Sequence, residues 1–599
     1  MNGSDDGSSL RSKTIVFRVL IVASAVLYGT ISLLSRRFAT EVPEVERPTI
    51  LMLALLAAAF GLYWSAIAVA IRLPASRRLI VAIVGSACLF RAVLIPSTPM
   101  HEIDVYRYIW DGAVGAESIS PYRYTPQQVL AAAELPADAV DEELRRLVAL
   151  LANDDGLREC LLRIHYAELP SPYPLVSQRV FQASTWLTPD GASQHTRLVI
   201  MKLVLGVFDV ATLLVLIGLL QDVGRHPGWS VAYGWCPLVL KEFANSGHLD
   251  LIAIFLTMFA LWMLVRTCRS TASTRRSVAA AALVGGIVAL AIGAKLYPVV
   301  LLPLFAAVWL RRLGWLPTVC GLGVAALMTT VLLQPMIGSE EGMQAATTPA
   351  DAGEASIAPD EAAGIREFLL HWEMNDLLFM VVVENLRPQE DTEPFARPWF
   401  VVTSDDWARG AILHWNQFTD ELLRKVQPTS SAEPDQPFDS PRSIQLGSFL
   451  LARVLTGGAT LLIACWLALR SSTDAQGPSQ WCRAAMLILA WFWLLCPTQN
   501  PWYWCWVVPL LPFARYRAWC AVSACCMLYY LRFWLSSHYP DPPVLGTRYD
   551  GVHFFYFVVA WVEFAPFLLA LFISWWVGRQ KVPPIEPTNA CQNQEMPPV

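Results

Sequence analysis

A chain of 599 residues in which 55% are apolar and only 16% are charged lacks the polar surface that a water-soluble protein of this size needs. The formal net charge of −5 is small, and no nucleic-acid partner is expected. With a mean hydropathy of +0.43, most of the chain must face lipid, so the placement of each charge matters more than the sum.

The chain opens with thirteen polar residues, MNGSDDGSSLRSK, read as a cytoplasmic tail over 1–13. About twenty apolar residues from Thr14 to Leu34 follow. That run is long for a signal-peptide core and has no small-residue cleavage site after it, so a retained first span is expected. The sequon Asn2-Gly3-Ser4 would then lie on the cytoplasmic side and stay unused. A helix needs about twenty apolar residues to cross the hydrocarbon, where only helices or closed barrels satisfy the backbone. By this measure spans are expected near 14–35, 50–72 and 79–96, then 197–220, 229–241, 248–265, 277–294, 296–310 and 315–337. The last set is 446–469, 483–496, 501–513, 517–536 and 554–577. The total is about fourteen, several short enough to be broken or paired.

Orientation follows from the short basic connections. With the N-terminus cytoplasmic, the inner loops carry Arg77-Arg78, Arg225, Arg266 to Arg276, Arg311-Arg312, Arg470 with Arg483, Arg515 to Arg517, and Arg579 with Lys581. The outer loops are mostly poorer in Arg and Lys, Arg36-Arg37 being an exception. The expected division is a tail (1–13), three helices (14–96), an outer loop (97–196), core helices (197–337), a second outer loop (338–445), C-terminal helices (446–577) and a cytoplasmic tail (578–599). Within the loops, Asp141 to Ile164 alternates as a surface-lying helix would. Ser339 to Asp360 is small, acidic and proline-containing and reads as flexible, and 385–443 has a similar composition. No internal repeat is visible. The thirteen cysteines show neither paired nor metal-like spacing, and Cys236, Cys465, Cys505, Cys525 and Cys526 sit in apolar runs as packing residues.

The most informative segment opens the first outer loop, from Pro99 through Asp111-Gly112. Glu102 and Asp104 lie directly after a span, at the membrane–water boundary where a lipid phosphate headgroup also sits. A carboxylate there can take the proton from a hydroxyl nucleophile, and an ordinary aspartate is ionised at neutral pH. The spacing equally allows a helix start capped by Glu102 or Asp104, with Arg107 paired to Asp104 or Asp111.

The run HEIDVYRYIWDGAVGAESISPYRYTP resembles the first outer loop of the GT-C membrane glycosyltransferases. It is most similar to bacterial polyprenol-phosphate-dependent mannosyltransferases and, more distantly, to GPI mannosyltransferases. Further matches follow in order over roughly residues 79–515. They are Leu169-Pro-Ser-Pro-Tyr173-Pro174, Tyr233-Gly-Trp-Cys-Pro237 through Glu242 to His248 and Asp250, Lys295-Leu-Tyr297-Pro298, Trp372-Glu-Met-Asn375-Asp376, and Pro501-Trp502-Tyr503. Glu102, Ser120 and Asn500 stand where the family more often has Asp, Asn and His.

The resemblance implies an all-α polytopic GT-C-like fold with two large outer loops. It implies transfer of a hexose, most often mannose, from a polyprenyl-phosphate donor to a glycan or glycolipid acceptor. Asp104 and Glu102 take the catalytic positions. Tyr106, Arg107, Asp111, Tyr122, Tyr173, His248, Asp250, Lys295, Tyr297, Trp372, Asn375, Asp376, Trp502 and Tyr503 are candidate donor- or acceptor-binding residues. Lys295 interrupts an apolar stretch and is expected to hold phosphate or to snorkel. His248 and Asp250 are expected to bind donor or to satisfy a broken helix, and Trp502 and Tyr503 to stack on sugar or to anchor the interface. On the 197–220 span, Lys202 lies two turns from Asp209, which is expected to satisfy an interhelical contact. His101, Glu102 and Asp104 together have the atoms for a divalent cation, but no second ligand cluster accompanies them and no cofactor is expected to be required. The expected location is a bacterial inner membrane, both termini cytoplasmic. A lipid-linked-sugar transporter and a non-catalytic relative are the alternatives, the first disfavoured by the missing repeat.

Overall fold

The computed structural model describes residues 3–136, 139–269, 273–337, 362–370, 372–390, 392–426, 438–473 and 475–580. Among these, every regular element is helical, and the extended pairing is an isolated parallel bridge between Met374 and Thr498. Nine helical stretches among the described residues are long and apolar enough to cross a bilayer: Ser8–Phe38, Thr49–Ala70, Gln194–Asp222, Asp250–Arg269, Thr274–Ala294, Trp315–Ile337, Pro441–Ser471, Ala518–His538 and Gly551–Val577. The chain is thus an all-α polytopic membrane protein. Each of the nine overlaps a span expected from the apolar runs.

The other expected segments form shorter or broken pieces, and proline explains most of the breaks. Pro237 follows the short Val231–Gly234 helix and opens Pro237–Val239, which passes into a π-turn over Leu240–Asn245. Tyr297–Leu301 is a 3-10 turn containing Pro298, continued by Leu302–Arg312. The segment 501–513 is a short Pro501–Trp504 helix and a Val508–Phe513 3-10 stretch holding Pro509 and Pro512. Each proline removes an N–H donor and crowds the preceding turn. Arg77–Leu94 and Pro478–Leu495 are uninterrupted.

Three expectations change. The first helix starts at Gly3, so most of the polar 1–13 stretch is its first turns rather than a separate tail. The surface helix expected over 141–164 is two helices, Glu142–Ala152 and Asp155–Leu161. It divides because Asp154 caps a new start, accepting from the Leu157 amide at 2.8 Å. Within 385–443 lies a regular helix, Asp405–Val426. Its Ile412 enters a small core with Phe379, Val383, Ile444 and Phe449, and its Asn416 donates to the Ser443 carbonyl at 3.2 Å. The stretch Ser339 to Asp360 lies outside the described residues.

Helices inside a bilayer gain little from burying apolar surface against one another, so close backbone approach and polar contacts hold them. Thr274–Ala294 crosses Trp315–Ile337 so closely that a Cβ on Gly285 would stand 2.1 Å from the Gly321 carbonyl oxygen. Arg91, on Arg77–Leu94, meets Asp209, on Gln194–Asp222, in a two-pronged pair at 2.7 and 2.8 Å. Tyr233 donates to the same carboxylate at 2.8 Å, and Arg91 also donates to the Gly234 carbonyl at 2.8 Å. Asp209 is therefore the interhelical contact that its place in an apolar run suggested. Cys236, Cys505 and Cys526 are buried free thiols, packed as small apolar groups.

Removing one member of the Arg91–Asp209 pair strands the other charge in the bundle. Asp209→Ala is expected to destabilise the protein by about 3–5 kcal/mol, while Arg91→Met with Asp209→Leu recovers most of the loss. Thermal melting in detergent would show this as a deep single-variant drop and a shallow double-variant one.

Candidate functional site

The turn from Ser97 to Asp104 is fastened before it presents any chemistry. Asn245, at the end of the π-turn, donates to Ser97 Oγ and the Thr98 carbonyl at 2.7 Å each and accepts from the Met100 amide at 3.1 Å. Lys202 donates to the Ser97 carbonyl at 2.7 Å. His101 adopts a left-handed backbone, φ 67°. Its ring stacks on Phe533 at 4.3 Å, meets Phe38 edge-on and bonds Thr49 at 2.9 Å through Nε2. Thus His101 is engaged as an anchor of this turn. Among the described residues, no three His, Cys, Asp or Glu side chains gather as a metal site.

Glu102 and Asp104 leave this turn in different environments. Glu102 is buried and accepts from the Tyr529 hydroxyl at 3.0 Å. Burial pushes its carboxyl up to about 7, against the pull of the Lys241 charge. Asp104 precedes the Val105–Ala116 helix but has helical backbone angles and makes no side-chain cap. Its carboxylate is 34% exposed, with His248 Nδ1 at 3.9 Å from Oδ2. Capping, the structural alternative for this residue, is absent.

His248 is held from behind. Its ring stacks on Trp502 at 4.2 Å with planes 12° apart, and Nε2 lies 3.4 Å from Glu242 Oε2. Glu242 also accepts from the Tyr530 hydroxyl at 2.7 Å and lies 3.4 Å from Lys241. The Lys241 ammonium contacts the Tyr530 hydroxyl and lies over that ring at 3.7 Å. Gly247, φ 76°, makes the reversal between the π-turn and the Asp250 helix, where a Cβ would come within 3.1 Å of Lys202.

A second group adjoins through Trp502 and Tyr503. Lys295 lies 2.8 Å from both oxygens of Asp250, which also accepts from Trp506 Nε1 at 2.6 Å. Tyr297 stacks on Trp506 at 4.1 Å, Tyr503 on its neighbourhood at 4.4 Å, and the Lys295 ammonium lies 4.3 Å from the Tyr503 ring centre. Asp250, Lys295, Tyr297 and Tyr503 therefore come together, and the Lys295 charge is matched inside the chain.

In front of Asp104 is a small cleft, partly open to solvent, whose walls include Asp104, Arg107, Tyr166, Tyr173 and Trp372. It lies where the segment holding Pro170 meets the one holding Gly364: a Cβ on Gly364 would be 2.5 Å from the Pro170 carbonyl oxygen. Tyr166, in a left-handed backbone at φ 56°, meets Trp372 edge-on at 5.3 Å. Arg107 pairs with Asp111 at 2.8 Å and donates to the Leu169 carbonyl at 3.0 Å. Its Nη2, on the same cleft-lining side chain, is buried without a partner among the described residues.

The remaining candidates lie off this wall. Asp111 accepts from Ser171 and Gln178, fastening the Val105–Ala116 helix to the following loop. Tyr122 donates to the Tyr173 carbonyl at 2.8 Å, and Tyr106 accepts from Gln194 at 2.7 Å. Asn375, φ 51°, donates to the Gln499 carbonyl at 3.1 Å. Asp376 is buried with neither carboxylate oxygen hydrogen-bonded among the described residues. Burial drives its acid well above the usual carboxylate range and holds neighbouring Glu373 at about 7.

Sequence reasoning passed over Tyr166, Tyr529, Tyr530 and Arg532. The last three lie in the apolar 517–536 segment, where a charge and paired tyrosines were the available signal. In comparison with known proteins, the chain matches no family model, no curated protein and no solved structure.

The raised acid of Glu102 fixes the sign of its pH effect. The fold favours the protonated form, so this contribution is full below the ordinary value of 4.5 and lost as pH rises through about 7. Glu102→Gln is expected to flatten the fall in thermal stability across that window. Wild-type-minus-variant melting curves separate its effect from that of Glu373.

Proposed function

We propose that this chain is a membrane-embedded inverting glycosyltransferase of the GT-C type, moving a hexose from a polyprenyl-phosphate donor to a hydroxyl of a glycan or glycolipid. The observation that carries this reading is the state of Asp104. It is a solvent-reached carboxylate at the mouth of a cleft, beside a braced histidine, and is not used as a helix cap. Mannose is the favoured sugar on the resemblance of the Glu102 to Tyr122 segment. The same reading takes the five shorter segments as partial or paired spans, for about fourteen in all. It places both long loops outside and both termini in the cytoplasm of a bacterial cell.

In the proposed step the acceptor oxygen attacks the anomeric carbon from the face opposite the phosphate. Asp104 takes the hydroxyl proton as the new C–O bond forms. The old C–O bond breaks with its electron pair leaving on the polyprenyl phosphate, and the anomeric configuration inverts. Neutral Glu102 donates a hydrogen bond at the turn or, ionised, accepts from Tyr529 as it does in the structure. His248, carried on the Trp502 ring and backed by Glu242, sets the direction of the Asp104 carboxylate. Aromatic faces at Tyr166, Tyr173 and Trp372 suit the apolar faces of a sugar ring. Leaving charge is assigned to side chains, with no cofactor.

Asp104→Asn keeps the shape of the side chain and removes its basicity. Transfer from polyprenyl-phosphate-mannose to a membrane-glycolipid extract is expected to fall about 100- to 10,000-fold, with melting temperature unchanged. Full transfer by a normally folded Asp104→Asn protein would end the base assignment. Absence of transfer by wild type from any polyprenyl-phosphate sugar would favour the transporter.

A further inference from the structure

Resting on the transfer reading above, the leaving phosphate needs a cation within the low-dielectric site, and the charges near Glu102 can be accounted for one by one. Lys295 is held by both oxygens of Asp250. Lys241 is fully buried against Glu242 and Tyr530. Arg107 is paired with Asp111 through Nε, its Nη2 staying unpartnered among the described residues, and buried Lys202 donates to the Ser97 carbonyl. Arg532 differs: among the described residues it has no carboxylate within ion-pair distance and no hydrogen bond. It is half-buried, with its guanidinium 5.9 Å from the Phe533 ring centre and 6.0 Å from that of Tyr556.

Its position connects it to the same site. Tyr529, whose hydroxyl donates to Glu102, precedes Arg532 by three residues at the junction of the Cys526–Tyr530 3-10 turn and the Leu531–His538 helix. Residues three apart share a face in both helix types. Tyr556 lies on the other side of the guanidinium, and Tyr529 joins this segment to the Glu102 turn through its hydroxyl. Phe533 carries the ring of His101, so the backbone that positions Arg532 also packs on the turn bearing Glu102 and Asp104. Arg532 lies beyond residue 515, outside the stretch that resembles known glycosyltransferases.

We propose that Arg532 is the anion-binding residue of this site and grips the phosphate of a polyprenyl phosphate, with Phe533 and Tyr556 at its sides. A guanidinium offers a planar fork of donors that matches two phosphate oxygens, which a lysine cannot reproduce. In the transfer step it receives the negative charge that develops on the leaving oxygen. The chemistry it recognises is a phosphate monoester or diester, presented either as a lipid headgroup or free in solution.

The test is binding of a fluorescent polyprenyl monophosphate to the full chain in phosphatidylcholine nanodiscs, comparing wild type, Arg532→Gln and Arg532→Lys. Loss of roughly 10- to 100-fold in affinity for Arg532→Gln, with partial return in Arg532→Lys and melting temperatures unchanged, is the expected result. Displacement of the probe by millimolar inorganic phosphate would assign recognition to the phosphate itself. Displacement only by unlabelled polyprenyl phosphate would assign it to the lipid-borne group, and both results support the proposal. Equal displacement by the polyprenyl alcohol would overturn it, because the chain alone would then account for binding. Equal binding by wild type and Arg532→Gln overturns the Arg532 assignment and leaves the transfer reading standing. No binding by wild type overturns both.

Discussion

Everything at the site depends on how one broken stretch of backbone is satisfied within an apolar bundle. Between Val231 and Asp250 the chain gives up regular helix for short turns, a π-turn and the reversal at Gly247. Unpaired amides and carbonyls there would each cost several kcal/mol. Asn245 and Lys202 resolve this by bonding the neighbouring break, the turn from Ser97 to Met100. Two irregular segments, each unfavourable alone, satisfy one another. The carboxylates at 102 and 104 and the imidazole at 248 are thereby carried on the two sides of one hydrogen-bonded seam.

Charge is distributed around that seam by depth. Away from the cleft, Arg91–Asp209 and Lys295–Asp250 are matched pairs within 2.8 Å, as low dielectric demands. Glu242 is surrounded by Lys241, Tyr530 and His248. Toward the cleft the matching becomes incomplete: among the described residues Asp104 has a histidine no nearer than 3.9 Å and Arg107 keeps an idle Nη2. Incomplete pairing next to open space is where a ligand supplies the missing partners.

The long helices were legible because an apolar run of about twenty residues has few other uses. Asp209 was legible as a contact because a lone carboxylate in such a run must find a partner. The partner of Lys295 was not legible: Asp250 lies 45 positions away, and no local pattern links them. Composition misled over Asp405–Val426, whose buried side is narrow: Ala408 and Ile412 are buried while Asp406 and Gln417 are exposed. Tyr529, Tyr530 and Arg532 were absorbed into a presumed span, since tyrosine and arginine near a helix end are ordinary interface residues. Their significance appears only when Glu102 and Glu242, from distant parts of the chain, arrive beside them.

The short pairing of Met374 with Thr498 has a mechanical consequence. Met374 donates to the Pro497 carbonyl and accepts from the Gln499 amide, both at 2.9 Å, while Thr498 reaches the Trp372 carbonyl at 3.3 Å. Trp372 forms a wall of the cleft, and three residues beyond Gln499 comes Trp502, the platform under His248. The ladder therefore fastens the Trp372 wall of the cleft to the platform of the imidazole through two backbone hydrogen bonds and one short stretch of chain.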